Sequence, residues 1–244
     1  MTEVERVALV TGAAGGIGSA IAARLARDGF RVACTDRAAA DAERAASGID
    51  GAAGFGCALR SEHAVAELRD VVTAELGAPW LLVNAAGVFF EHEVTELSIE
   101  QWDQIMDVNV RGTFLTCRAL LPAMAAAESG CIVNIASTAG LSGGHTRAAY
   151  NASKGAVVLF TRSLAIDWGP RGVRVNCVCP GLIDTPMADW IRLDAVRLAA
   201  FERSLPAQRI GTPDDVADAV SFLASAGASY MHGSTLVVDG GVTA

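Results

Sequence analysis

Lysine is nearly absent from this 244-residue chain, because only one of its 19 Lys and Arg residues is a lysine, Lys154. Tyrosine is also rare, with Tyr150 and Tyr230 the only two present. Elsewhere the sequence uses arginine, although the two basic side chains are not chemically interchangeable. The lysine that follows Tyr150 by one helical turn therefore indicates a site whose chemistry needs an ammonium group.

Basic clusters and long apolar runs are missing as well. The net charge of −8 disfavours nucleic acid and anionic membrane surfaces as partners, because both need a basic patch. The longest uncharged apolar stretch around the middle of the chain, 77–90, contains Asn84 and is shorter than the roughly 20 residues of a membrane helix. The start of the chain has neither the basic nor the apolar region of a signal peptide. We therefore expect a cytoplasmic protein without a transmembrane segment.

The six cysteines form no CxxC pair, and no histidine lies at metal-ligand spacing from them. Most of them lie inside apolar runs. The sequence therefore predicts buried free thiols, and it predicts no metal site.

Short apolar, β-branched runs alternate with longer amphipathic segments, and no Pro/Ser-rich linker or repeat divides the chain. Nearly continuous apolar strands separated by helices are typical of a parallel sheet covered on both faces. The sequence predicts a doubly wound α/β fold in one domain, 1–244. The seven predicted strands are Arg6–Val10, Arg31–Asp36, Ala53–Ala58, Trp80–Asn84, Cys131–Ala136, Val173–Val178 and Thr235–Val238.

A glycine-rich turn, Thr11–Gly18, follows the first predicted strand and precedes a predicted helix over 19–27. Gly12 permits a tight turn, Gly16 lets the backbone approach a pyrophosphate, and Gly18 allows close packing of the helix on the sheet. The helix N-terminus adds the positive end of its dipole. This order of strand, turn and helix favours a dinucleotide site over an ordinary turn.

Asp36 ends the second predicted strand, about 20 residues beyond the glycines, where a carboxylate can accept hydrogen bonds from the adenosine ribose. The same charge would repel a 2′-phosphate. Arg37 can in principle stack on adenine or meet that phosphate, but Gly15 occupies the loop position where a basic residue would help. The sequence therefore favours NAD over NADP. The alternative for Asp36 is an exposed turn residue at a strand end.

Ser137 follows the fifth predicted strand, and Tyr150 and Lys154 lie one turn apart on one face of a predicted helix, 149–168. A phenol with an ordinary pKa near 10 needs a nearby cation to act as a base near neutral pH. We predict that Tyr150 moves the substrate proton, that Lys154 and an oxidised nicotinamide stabilise its phenolate, and that Ser137 holds the substrate oxygen. The alternative is a half-buried helix tyrosine beside a solvated lysine.

Taken together, the motifs resemble the short-chain dehydrogenase/reductases over essentially the full length. In chain order they are Thr11–Gly18, Asn84–Gly87, Asn109, Ser137, Tyr150-x-x-x-Lys154, Pro180-Gly181 and Val238–Gly241. The resemblance implies a Rossmann-type fold, with residues 1–130 mainly binding the cofactor and 131–244 carrying catalysis, substrate binding and a lid at about 186–204. It implies an NAD-dependent oxidoreductase that acts on a secondary alcohol or ketone as a homotetramer.

The resemblance also implies roles for single residues. The catalytic tetrad would be Asn109, Ser137, Tyr150 and Lys154, with Asn109 anchoring a water that relays protons from the lysine. Family members often carry an aspartate that faces the adenine, whereas Ala58 follows Cys57 here, so backbone groups or packing must hold the adenine. The expected cofactor-binding residues are Gly12, Gly16, Ile17, Gly18, Asp36, Asn84, Ala85, Gly87, Tyr150, Lys154, Pro180, Gly181, Ile183 and Thr185.

Two arginines are candidates for substrate binding. Arg147 precedes the catalytic helix, and Arg192 lies in the lid segment. Arginine forks bind carboxylate, sulfonate or phosphate groups, so the expected substrate is a small hydroxy- or oxo-compound with a remote anion. The chain also resembles hydroxypropyl-coenzyme M dehydrogenases, whose substrates carry a sulfonate. The alternative is that both arginines are solvated and that the substrate is a hydrophobic secondary alcohol.

Two other functions stay open. The first is an NADP-dependent 3-oxoacyl-carrier-protein reductase, which shares the quoted motifs. Asp36 and the acidic net charge count against it, because such reductases dock an acidic partner. The second is a non-catalytic NAD(H)-binding redox sensor. An intact set of Asn109, Ser137, Tyr150 and Lys154 counts against this reading, because a sensor needs no proton relay.

Overall fold

Seven parallel strands form one sheet in the order β3-β2-β1-β4-β5-β6-β7 in the computed structural model, which describes residues 6–244. The predicted doubly wound α/β fold is confirmed, and the strand ends differ from the predicted ones by one or two residues. The start of the chain, on which the expectation of no signal peptide depends, lies largely outside the described residues. The strands are β1 (Val7–Thr11), β2 (Arg31–Asp36), β3 (Ala52–Gly56), β4 (Pro79–Asn84), β5 (Gly130–Ile135), β6 (Val173–Pro180) and β7 (Thr235–Val238).

Helices cover both faces of the sheet. Helices α1 and α9 pack on one face through apolar residues such as Ile21 and Val220. Helices α3, α5 and α6 cover the other face, where Leu68, Leu120 and Leu164 belong to a second buried cluster. The helices are α1 (Gly16–Arg27), α2 (Ala39–Ala46), α3 (Glu62–Glu75), α4 (Ile99–Ile105), α5 (Thr113–Ala126), α6 (Ala148–Trp168), α7 (Asp189–Arg192), α8 (Ala195–Ser204) and α9 (Pro213–Ala224).

The strand order reverses between β1 and β4. Thr11 at the end of β1 lies in register with Thr35 on one side and with Asn84 on the other. Open α/β sheets bind their ligands in the crevice at such a switch point, outside the carboxyl ends of the strands. The Thr11 hydroxyl accepts hydrogen bonds from the backbone N–H groups of Ala85 and Ala86 at 3.1 and 3.2 Å, which fixes the loop after β4 against this crevice.

Two further observations concern the described part of the chain. None of its helices combines the length and apolar character that a membrane crossing requires. All six cysteines are free and buried, as the sequence predicts. The division into a cofactor half, 1–130, and a catalytic half, 131–244, stays a prediction. The predicted lid, 186–204, consists of a short 3₁₀ turn followed by α7 and α8.

Candidate active site

The glycine-rich turn between β1 and α1 has room for no side chain at three of its positions. Gly12 has a φ of +68°, and a Cβ there would lie 2.7 Å from Cα of Ala86. A Cβ on Gly16 would lie 2.7 Å from the side chain of Thr185, and one on Gly18 would collide with the carbonyl of Gly12. The turn thus presents bare backbone and a helix N-terminus to the crevice, which is the arrangement that a pyrophosphate needs.

A cavity of about 730 Å³ runs from the glycine turn along the carboxyl edge of the sheet. Eight of the predicted cofactor residues line it. They are Gly12, Gly16, Ile17, Gly18, Asp36, Ala85, Gly87 and Thr185. The cavity has the size of a small-molecule site, and it joins the predicted ribose end at Asp36 to the predicted nicotinamide end at Thr185. The described residues therefore fit a dinucleotide.

Asp36 is half-buried and lines one end of this cavity. Its carboxylate accepts hydrogen bonds from the backbone N–H groups of Ala14 at 3.1 Å and Arg37 at 2.7 Å. These contacts orient the carboxylate, so it is more than an exposed turn residue. Arg37 lines the cavity too, as does Ala58, which stands where an adenine-facing carboxylate was expected from the family pattern.

Six predicted cofactor residues are not part of the cavity wall, and their contacts with the cofactor stay predictions. Two of them, Tyr150 and Lys154, are described below. Asn84 is buried beneath the sheet edge, where its amide donates to the side chain of Asn134 at 2.9 Å and accepts from Thr116 at 2.7 Å. Its side chain stays in this internal network, because a buried amide without hydrogen-bond partners would lower the stability of the fold. The others are Pro180, which ends β6, Gly181, which packs against Asp239, and Ile183, which bridges to Gly211.

Ser137 lies beyond the end of β5, close enough to Tyr150 for its side chain to lower the pKa of the phenol. Ser137 also accepts a hydrogen bond from the backbone N–H of Ala139 at 3.1 Å, which holds its side chain in place. Burial raises the pKa of Tyr150 to about 12, while its hydrogen bond with Ser137 and the positive charge of Arg147 act to lower it. Before the cofactor binds, Tyr150 is therefore a neutral hydroxyl.

Lys154 lies one turn further along α6 and is buried. Its ammonium donates to the backbone carbonyl of Ile135 at 2.9 Å and lies 5.7 Å from the ring centre of Tyr150. A Cβ placed on Gly87 would lie 3.4 Å from this ammonium, so Lys154 borders the cavity wall. Burial lowers the pKa of Lys154 to about 8. Arg147 is a cation that acts to lower the pKa of Tyr150, and the effect of Lys154 together with an oxidised nicotinamide stays a prediction.

Asn109 lies in a π-helical stretch, Met106–Gly112, which the sequence analysis did not predict. Its side chain accepts from the backbone N–H of Val88 at 2.8 Å and donates to the carbonyl of Val88 and to Ser153, both at 3.0 Å. It thereby ties the loop after β4 to the catalytic helix. Its role as the anchor of a proton-relay water stays a prediction.

Arg147 lies near Tyr150, in a group of side chains that the sequence analysis did not predict. Its guanidinium donates to the carboxylate of Glu91 at 3.1 Å. The same guanidinium lies 4.6 Å from the ring centre of Trp190 and 5.6 Å from that of Phe89. Phe89 in turn meets the ring of Tyr150 edge to face, with ring centres 5.0 Å apart. No local sequence signal connects Glu91 to Arg147, because the contact joins two separate loops.

Arg192, the second predicted anion-binding residue, is held by two carboxylates. It donates to Asp189 at 2.7 Å and to Asp184 at 3.1 Å. The two arginines therefore both have acidic partners already. Their role in binding an anionic substrate group stays a prediction.

Comparisons with known proteins extend this picture. The family model described as Enoyl-(Acyl carrier protein) reductase matches residues 12–243. The 2-(R)-hydroxypropyl-CoM dehydrogenase of Xanthobacter autotrophicus is 45% identical, over 99% of this chain and all of that protein. The cyclopentanol dehydrogenase of Comamonas sp. is 42% identical, over 98% of both chains. The solved structure of gox2181 superposes with a TM-score of 0.93 at 35% identity, covering 98% of this chain and 96% of that one.

Proposed function

The chain belongs to the short-chain dehydrogenase/reductase family of oxidoreductases, and we propose that it is an NAD-dependent dehydrogenase of secondary alcohols. The observation that carries the proposal is the hydroxyl pair of Ser137 and Tyr150, with buried Lys154 one turn away, beside a cavity that fits a dinucleotide. Relatives whose names state alcohol oxidation, among them the cyclopentanol dehydrogenase, support the reaction class.

NAD is proposed over NADP because of the charge at Asp36. Its carboxylate is held at the ribose end of the cavity by two backbone N–H groups, where it can accept hydrogen bonds from ribose hydroxyls and would repel a 2′-phosphate. Gly15 in the glycine turn offers no basic side chain to that phosphate. Arg37 and Arg60 also line the cavity and are basic groups that would favour NADP, and both are exposed.

In the proposed mechanism, Tyr150 accepts the hydroxyl proton of the alcohol during oxidation and returns it during ketone reduction. Ser137 holds the substrate oxygen next to the phenol. Lys154 holds the nicotinamide ribose and, when protonated, favours the phenolate. Bound NAD supplies the hydride acceptor, and its positive ring adds to the same electrostatic effect. Asn109 keeps the loop after β4 in place and anchors the relay water.

The 3-oxoacyl-carrier-protein reductase is the second candidate, because the matching family model is described as a carrier-protein reductase. Asp36 and the net charge of −8 weigh against it. A non-catalytic redox sensor is weaker still, since all four tetrad residues are present. Cytoplasmic localisation stays a prediction of the sequence.

We propose a homotetramer that pairs through α5 and α6. Three exposed apolar side chains on these helices, Phe114, Leu159 and Ile166, support this pairing, because large apolar groups on a surface favour association. Light scattering coupled to size exclusion tests it, and a monomer would contradict it.

The decisive test of the function is a screen of secondary alcohols with NAD and, in parallel, NADP at pH 9, monitored by the absorbance of the reduced coenzyme. We expect turnover with NAD and much weaker turnover with NADP. Reduction of 3-oxoacyl thioesters with NADPH in preference to every alcohol would favour the second candidate instead.

A further inference from the structure

Glu91 lies in the loop after β4, outside every motif that identifies the family. Its carboxylate accepts from Nη2 of Arg147 at 3.1 Å and from Nε at 3.4 Å, and it is also within 3.3 Å of the hydroxyl of Thr146. Both members of the pair are only about one-third exposed, at 34% for Glu91 and 31% for Arg147. An ion pair at this depth is screened by water less than one on an open surface.

The pair belongs to the wall around the reacting hydroxyl. Arg147 is close enough to Tyr150 for its charge to lower the pKa of the phenol. Its guanidinium lies over the ring of Trp190 from the lid and near Phe89, whose ring meets that of Tyr150. A substrate that places its alcohol at Tyr150 therefore extends past Phe89 toward a guanidinium that already binds a carboxylate.

We infer that Glu91 is a specificity-determining residue, because it occupies the Arg147 guanidinium and so selects uncharged secondary alcohols over those with a remote anion. This inference rests on the proposed function. An anionic substrate that approaches Arg147 must either displace Glu91 or bind the remaining N–H groups of the guanidinium, and in the second case two negative charges lie beside one positive charge. An uncharged substrate meets an aromatic and charge-neutral wall. Arg192 offers no alternative, since Asp184 and Asp189 bind it.

The test compares 4-hydroxypentanoate with 4-hydroxypentanamide, which differ in charge but hardly in size. We expect the wild-type enzyme to prefer the amide by about tenfold in kcat/KM, the size of effect that one charge-assisted contact supports. Glu91→Gln removes the charge and is expected to raise kcat/KM for the carboxylate by about tenfold, chiefly through KM, with little change for the amide.

Two further variants identify the cause. The double variant Glu91→Gln, Arg147→Gln is expected not to show the increase in kcat/KM for the carboxylate that Glu91→Gln shows alone. The reason is that it lacks the guanidinium that would bind the carboxylate. The matched control is Glu62→Gln on α3. It removes the same charge from an exposed ion pair with Arg118 of α5. This control is expected to leave the ratio of kcat/KM for the amide to kcat/KM for the carboxylate unchanged.

Calorimetry with pentanoate and pentanamide, which carry no oxidisable alcohol, gives a readout that does not depend on turnover. Glu91→Gln should tighten pentanoate binding about tenfold and leave pentanamide binding unchanged. The inference would be overturned if the wild-type enzyme had the higher kcat/KM for the carboxylate. It would also be overturned if Glu91→Gln left the ratio of the two kcat/KM values unchanged, or changed the binding of pentanoate and pentanamide equally. If no secondary alcohol in the screen is oxidised, the proposed function fails, and calorimetry still decides the role of Glu91.

Discussion

Replacing Lys154 with methionine should make the folded protein more stable at neutral pH while removing its activity. Burial lowers the pKa of Lys154 to about 8 from an ordinary value of 10.5. The folded protein therefore binds this proton less tightly than the unfolded chain does. By linkage, the protonated lysine reduces the free energy of unfolding by about 3 kcal/mol at pH 7, since each pKa unit corresponds to about 1.4 kcal/mol.

Methionine removes this cost, fills a similar volume and leaves only the carbonyl of Ile135 without its donor. An unsatisfied buried carbonyl costs about 1 to 2 kcal/mol, so the net gain at pH 7 is about 1 to 2 kcal/mol. As the pH rises from 8 to 10.5, the unfolded chain loses its proton too, and the cost of the lysine disappears. At pH 9.5 only about 1 kcal/mol of that cost remains, so the gain vanishes and the two proteins become about equally stable.

Urea unfolding of both proteins at one protein concentration, at pH 7 and at pH 9.5, measures this difference. Taking the difference between variants cancels the titration of groups on which Lys154 has no effect, such as the remote Cys34 and Cys57. The reasoning is refuted if Lys154→Met is less stable than the wild type at pH 7, or if the difference between them does not change with pH.

The remaining predictions concern the cofactor and the proton. Asp36→Ala should reduce the ratio of kcat/KM for NAD to kcat/KM for NADP about tenfold, because a negative charge next to the 2′-phosphate is removed. An unchanged ratio would contradict the role of Asp36 in selecting NAD. Gly18→Ala should weaken NAD binding at least about tenfold, because its Cβ collides with the Gly12 carbonyl; calorimetry with an unaltered Kd would contradict this. Lys154→Arg should lower kcat about 100-fold and leave the circular dichroism spectrum unchanged. Full activity of this variant would show that catalysis does not require the ammonium group. Alcohol oxidation should rise with pH from 7 to 9, because the pKa of Tyr150 lies above this range before NAD binds, and a flat profile would argue against a titrating base.

Strands and motifs could be predicted because each depends on a short stretch of sequence. The apolar runs that became β1 to β7 and the glycine turn carry their signals locally, and the spacing of Tyr150 and Lys154 places both on one helix face. Contacts between distant segments have no such signal. The π-helical stretch around Asn109 and the buried amide network of Asn84 depend on tertiary packing.

The pairing of Arg147 with Glu91 was missed for the same reason. From the sequence, a loop arginine near a predicted substrate pocket is interpreted as an anion-binding group. Nothing in the sequence shows which carboxylate of another loop lies beside it. The burial of Tyr150, which raises its pKa, could not be predicted either, because it depends on how the helix packs.

The central claim is that Tyr150 moves the substrate proton in an NAD-dependent alcohol dehydrogenase. The most direct test measures kcat and the Kd of NADH for the wild type and for Tyr150→Phe, using the best alcohol from the screen. The account predicts that kcat falls at least about 100-fold while the Kd of NADH stays within a factor of about two, because only the proton-carrying hydroxyl is removed. Near-wild-type turnover in Tyr150→Phe would contradict it.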